Sequence, residues 1–134
     1  MDARLPSYAN KGDSGLDLFS VEDVDIEPGN YKTISTGIVM ELPKGFEAQI
    51  RSRSGLSSKN GIAVLNSPGT IDQGYRGEIK VILINHGKMT FHITKQMKIA
   101  QIVIASVCQV EIKDVDFITD ETERGTGGFG STGL

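Results

Sequence analysis

The apolar residues of this chain fall into short runs with a period of two, separated by glycine- and proline-bearing turns. Such alternation puts every second side chain on one face of an extended strand. It predicts strands over 15–20, 31–42, 46–52, 78–85, 89–94 and 98–110. In the first of these, Leu16, Leu18 and Phe19 are expected to pack, and in the third Phe46, Ala48 and Ile50 share a face. The run 78–85 is almost continuously apolar, which predicts a central strand buried on both faces. Pro28-Gly29, Pro43-Lys44-Gly45 and His86-Gly87-Lys88 read as turns. No stretch sustains the i, i+3, i+4 spacing of an ordinary helix. Only 54–61 reads as helical, with Ser54 as N-cap and Asn60-Gly61 as the stop. The expected fold class is all-β: a sandwich, jelly roll or barrel.

The chemistry-bearing residues gather in a few places. Residues 66–77 run Asn-Ser-Pro-Gly-Thr-Ile-Asp-Gln-Gly-Tyr-Arg-Gly, with turn signals at Pro68-Gly69 and Gln73-Gly74. A β-hairpin is expected there, its backbone exposed at the tip to read the edge of a flat ligand. Asp72, Tyr75 and Arg76 put an acid, an aromatic face and a cation in that one stretch. Arg53 beside a helix start predicts a phosphate cradle, because the first turn offers unpaired N–H groups. Asp17 reads either as surface decoration or as an outer-sphere metal ligand. Gln101, polar in an apolar strand, is either satisfied internally or directed at a ligand.

Composition then removes several function classes. The chain has 134 residues, enough for one domain with a single core. Its 14 basic and 17 acidic residues give a net charge of −3, which argues against a large basic surface for nucleic acid polymers. His86 and His92 have no partner at zinc spacing. The single cysteine, Cys108, flanked by Val107 and Val110, is expected to be a buried, inert thiol. No apolar run reaches membrane-spanning length and no N-terminal signal pattern is seen, so a cytoplasmic location is expected, or a nuclear one in a eukaryotic or viral host.

Residues 111–123 are acidic and loop-like, and five of the last ten residues are glycine. Such a tail cannot hold one conformation alone. Gly125, Gly127 and Gly130 match G-x-G-x-x-G, but no strand leads in and no helix can follow. A flexible arm that folds over a bound phosphate is the better reading, and Phe129 and Arg124 favour it. The chain is accordingly divided into a β domain over 1–123 and an arm over 124–134.

These segments together resemble the trimeric dUTP diphosphatases (dUTPases). The family's five motifs occur in order: Gly15 to Ser20, Arg53 to Leu56, Asn66 to Gly77, Ile99 to Gln101, and Arg124 to Gly133. The resemblance implies a jelly-roll-like (β-clip) subunit with one short helix and a flexible C-terminal arm. It implies a homotrimer with active sites shared between subunits, and hydrolysis of dUTP to dUMP and pyrophosphate by in-line water attack on the α-phosphate, with Mg²⁺ on the triphosphate. Carried over by position, Asp72 and Gln101 are catalytic. Asn66 and neighbouring backbone groups read the uracil edge, Gly69, Thr70, Ile71 and Lys80 are further substrate-binding residues, and Tyr75 stacks under the sugar and excludes a 2′-hydroxyl. Arg53, Ser54, Gly55 and Gln101 hold phosphate oxygens, and Asp17 supports Mg²⁺ through water. Arg124, Phe129, Gly130, Ser131 and Thr132 belong to the closing arm. The implied role is to limit uracil in DNA and supply dUMP for thymidylate synthesis.

The sequence departs from the family pattern in two places. Gln96-Met97-Lys98 stands where the fourth motif usually opens with glycine and often has Arg before Ile-Ala-Gln, and Ser52 stands where Pro is frequent. Two competing readings are a dCTP deaminase of related fold and a nucleotide-gated protein binder. Tyr75 and the glycine-rich arm favour a dUTPase over the first, and Asp72 speaks against a loss of catalysis in the second.

Overall fold

The alternating runs fold into nine strands and one helix in a computed structural model that describes residues 3–118 and 121–133. The chain order is β1 (Leu16–Phe19), β2 (Val24–Ile26), β3 (Tyr31–Val39), β4 (Phe46–Arg51), α1 (Ser54–Asn60), β5 (Ile62–Val64), β6 (Gly69–Ile71), β7 (Glu78–Asn85), β8 (Phe91–Ile93) and β9 (Lys98–Ser106). They form a four-stranded sheet β1-β9-β4-β6, a three-stranded sheet β3-β7-β5 and a pair β2-β8, all antiparallel. The architecture is a jelly-roll-like all-β subunit with one short helix. Among the described residues, no helix is long and apolar enough to cross a membrane.

One buried cluster takes residues from every sheet. Leu18, Ile50 and Ile102 come from the first, Ile34, Val81 and Leu83 from the second, and Ile26 and Ile93 from the pair. Each such side chain contributes about 1.5–3 kcal/mol when fully buried. The polar side chain of Asn85 lies within this interior. It donates to the carbonyls of Ile26 and Met89 and accepts from the N–H of Gly87, so its burial leaves no group unpaired.

Several expectations change. The stretch 66–77 is not a hairpin. It carries the chain from β5, paired with β7, to β6, which pairs with the edge of β4 in the other sheet, and back into β7. Strand β7 is central, but only one of its faces is fully buried. Ile79, Val81, Leu83 and Asn85 point inward, while Lys80 is exposed and Ile82 and Ile84 are half-buried.

Strand β9 ends at Ser106, because its partner β4 begins at Phe46 and the ladder runs out there. The N–H of Val107 still donates to the Gly45 carbonyl at 2.9 Å, and beyond it the chain leaves the sheet. Cys108 is therefore exposed, not buried. The segment 107–118 has no strand and shows Val110, Ile112, Val115, Phe117 and Ile118 to solvent. The acidic stretch and the tail include Thr119, Asp120 and Leu134, which lie outside the described residues.

The helix also begins one residue earlier than expected. Arg53 (φ −92°, ψ 126°) is the N-cap, without a side-chain cap, and Ser54 is the first helical residue. Its end is as read: Gly61 takes a left-handed φ of 68° and donates to Leu56 and Ser57 carbonyls. The helix is only seven residues long with none buried, and the N–H groups of its first turn have no partner within the helix.

Candidate active site

Two clusters of the expected residues form, towards opposite edges of the four-stranded sheet. The first is built on β6. Gly69 lets β6 lie close on β4, since a Cβ there would stand 3.2 Å from Ile50 Cβ and 3.4 Å from Asn66 Nδ2. Past Ile71 the chain turns, with the Tyr75 N–H donating to the Asp72 carbonyl at 3.0 Å. The Arg76 guanidinium ties the turn to itself, donating to the carbonyls of Gln73 (2.9 Å) and Tyr75 (3.1 Å). The Tyr75 hydroxyl donates to the Glu78 carbonyl at 2.9 Å. Thr70, Ile71, Asp72, Tyr75, Glu78 and Lys80, with Thr33 and Ile82, line a cavity of about 490 Å³. The Asp72 carboxylate is exposed, and Lys80 Nζ stands 3.7 Å from Glu78.

The second cluster lies where β1, β9 and the start of α1 meet. Asp17, only 13% exposed, is held between Lys98 Nζ at 2.6 Å and Arg53 Nε at 3.4 Å. It is therefore neither loose decoration nor a free ligand. Arg53 also donates from a terminal nitrogen to the Lys98 carbonyl at 3.2 Å, which fixes its guanidinium across β9. The Gln101 amide donates to the Ser52 carbonyl at 2.9 Å. Gly15 lies directly under that amide: a Cβ there would overlap Gln101 Oε1 and stand 3.1 Å from its Cβ and Cδ. Asp13, Ser14, Gly15, Asp17, Arg53, Ser54, Gly55, Lys98 and Gln101 line a second cavity of about 330 Å³.

No residue is common to the two cavities. Gln101 faces Arg51 across β9–β4, while Ile71, which precedes Asp72, faces Ala48 across β4–β6. Asp72 is thus two strand spacings from Gln101 and about four residues along the strands, on the order of 15 Å. The arm stands apart from both. Arg124, Phe129, Gly130, Ser131 and Thr132 are exposed, and among the described residues the arm's hydrogen bonds are local turns between 122 and 133.

The sequence reading missed Lys98, Asp13 and Gly15 on one side and Thr33, Glu78 and Ile82 on the other. Lys98 was visible as a departure from the fourth motif, three residues before Gln101. Both departures have defined roles in the local structure. Gln96 itself adopts a left-handed φ of 67° where a glycine is usual. Ser52 accepts from the Val64 N–H through its hydroxyl oxygen at 2.9 Å, while its carbonyl orients Gln101.

Metal-binding capacity is limited. Among the described residues no three His, Cys, Asp or Glu side chains converge. Of the two carboxylates that line the second cavity, Asp17 already carries two cations and Asp13 accepts from the backbone N–H and side-chain amide of Asn10. With both engaged, a hard cation such as Mg²⁺ would need most of its oxygen ligands from a bound molecule and water.

Comparison with known proteins gives a consistent picture. The dUTPase family profile matches residues 1–133. The chain belongs to the dUTPase family. It is 61% identical over 132 residues to the deoxyuridine 5'-triphosphate nucleotidohydrolase of Gloeothece citriformis, covering 98% of this chain and 90% of that protein. The protein of the same name from Alkaliphilus metalliredigens is also 61% identical, with 98% and 91% covered. Among solved structures, the dUTPase of Staphylococcus bacteriophage 80alpha with dUpNHpp superposes with a TM-score of 0.92 at 31% identity, over 98% of this chain and 93% of that one. A mutant dUTPase from phage phi11 of S. aureus gives a TM-score of 0.80 at 29% identity, over 86% and 91%, and is described as revealing the coordination of a structural Mg(II) ion. Both cavities of this dUTPase-family chain are built from residues inside the matched region.

Proposed function

We propose that this chain hydrolyses dUTP to dUMP and pyrophosphate as a homotrimer whose active sites each combine the Asp72 side of one subunit with the Gln101 side of another. The single observation that carries the shared site is the separation of the two clusters within one chain. A water attacking the α-phosphate must touch both a base and a phosphate held by cations. Here Asp72 and the Arg53–Gln101 cluster line separate cavities, and a second copy can bring one against the other. The exposed apolar residues of 107–118 support association, since a monomer rarely leaves so many uncovered in one segment.

In this site, Asn66, Gly69, Thr70, Ile71 and Lys80 surround the uracil, largely through backbone groups, and β6 leaves little room for a 5-methyl. Tyr75 packs under the deoxyribose and excludes a 2′-hydroxyl. Arg53, Ser54 and Gly55 hold phosphate oxygens, and the Gln101 amide, fixed by Ser52, orients the reacting phosphate. Asp72 takes the proton of the attacking water. The water oxygen bonds to the α-phosphorus in line with the bridging oxygen, the bond to the β-phosphate breaks, and pyrophosphate leaves with that electron pair. Mg²⁺, held by the triphosphate and through water by Asp17, would supply charge neutralisation.

The arm over 124–134 closes on the nucleotide. Arg124 and the hydroxyls of Ser131 and Thr132 reach phosphate, Gly130 allows close approach, and Phe129 covers the base. Among the described residues its hydrogen bonds stay within 122–133, which supports this assignment. The reaction removes dUTP from the cytoplasm and keeps uracil out of DNA. The test is pyrophosphate release across dUTP, dTTP, dCTP and UTP with Mg²⁺. Turnover confined to dUTP is expected, and equal turnover of dTTP or UTP would contradict the assignment.

A further inference from the structure

We infer that Gly77 is a positioning residue for sugar selectivity, because it is the floor on which the Tyr75 ring rests. The inference rests on the role proposed for Tyr75 and deepens it. A Cβ placed on Gly77 would overlap the Tyr75 hydroxyl oxygen and stand 2.6 Å from Cζ and 3.0 Å from Cε2. Carbon atoms pack at about 3.5–4.0 Å, so even one methyl group forces the ring away by on the order of 1 Å. The Tyr75 hydroxyl is fixed to the Glu78 carbonyl, the residue next to Gly77, so the ring arches over the glycine and is pinned beyond it. With any side chain at 77, that arch cannot close.

The requirement for glycine here is one of space alone. Gly77 lies outside the left-handed region that eight other glycines of the chain occupy, so an alanine fits its backbone. The atoms it would meet belong to a half-exposed side chain, free to swing outward into solvent without opening the core. Substitution should therefore cost little stability and act through the ring. The ring borders the cavity of Thr33, Thr70, Ile71, Asp72, Glu78, Lys80 and Ile82, and a displacement of this size is enough to admit a hydroxyl group.

The experiment uses the full chain and compares Gly77→Ala, Tyr75→Ala and the double variant. Its readouts are thermal unfolding and the ratio of kcat/KM for dUTP over UTP. Gly77→Ala should leave the unfolding midpoint unchanged and lower the ratio about ten-fold. Added to Tyr75→Ala it should change nothing further, because the ring it displaces is gone. A ratio unchanged in Gly77→Ala while it falls in Tyr75→Ala overturns the inference. So does an effect of Gly77→Ala that persists without the ring. An unchanged ratio in Tyr75→Ala overturns instead the role of Tyr75 beneath it. Tyr75 ring resonances that do not shift in unliganded Gly77→Ala overturn the geometric premise, whatever the kinetics.

Discussion

The two clusters are built in different ways. The Asp72 side is local: Tyr75 to Glu78 and Arg76 to Gln73 are bonds between residues three apart, and its carboxylate faces solvent. The Gln101 side is assembled from distant segments. Arg53 reaches the Lys98 carbonyl 45 residues on, and Gln101 reaches the Ser52 carbonyl across 49. Its charges are paired and half-buried. A local turn presents one exposed group and can be offered to a neighbour, whereas the cross-strand cluster must be preorganised to hold several phosphate charges in fixed places. The difference suits a site in which one chain brings the base and another holds the phosphates.

Substitutions on the two sides should therefore fail differently. The largest effect is expected at the local side. Asp72→Asn keeps the shape and removes the proton acceptor, so kcat should fall by ~10²–10⁴-fold while dUTP still binds. Single-turnover kinetics with a binding titration separates the two, and near-normal turnover would remove Asp72 as the base. On the cross-strand side, Gly15→Ala adds a Cβ where the Gln101 amide lies. Turnover should drop by up to about a hundred-fold through misplacement of that amide. A wild-type kcat in a folded Gly15→Ala protein would show that the orientation of Gln101 is not needed. The smallest effect is expected at the edge of that cluster. Lys98→Met breaks an ion pair with Asp17 that is 39% exposed at the lysine, and Arg53 still balances the carboxylate. The loss should be about 1 kcal/mol or less in urea unfolding, and a much larger loss would make Lys98 a structural keystone of the cluster.

What the sequence revealed follows the same division. The all-β class, most strands, the Gly61 helix stop and the Gln73-Gly74 turn were legible because alternation and turn chemistry are local. So was the grouping of Asp72 and Tyr75, which sit together in the chain and line one cavity. The partner of β6 was not legible, since nothing within 66–77 says that Gly69–Ile71 will pair with β4 rather than fold back on itself. Cys108 was misjudged because its valine neighbours look like core, while the end of β9 is set by where β4 begins. Asp17 was ambiguous for the same reason: its partners Arg53 and Lys98 come from other strands. Gly15 and Gly77 were hidden because a glycine needed for close approach looks the same in sequence as one needed for a turn.

The shared site itself can be tested by complementation. Asp72→Asn and Arg53→Met chains, each nearly inactive alone, are unfolded together and refolded, and mixed trimers are confirmed by mass. In them, a site that takes Asp72 from an Arg53→Met chain and Arg53 from an Asp72→Asn chain has both groups intact. Pyrophosphate release from dUTP by the mixture should then exceed the sum of the two parents several-fold. If mixed trimers form and release stays at the parental sum, Asp72 and Arg53 serve one phosphate from the same chain, contrary to the shared-site account.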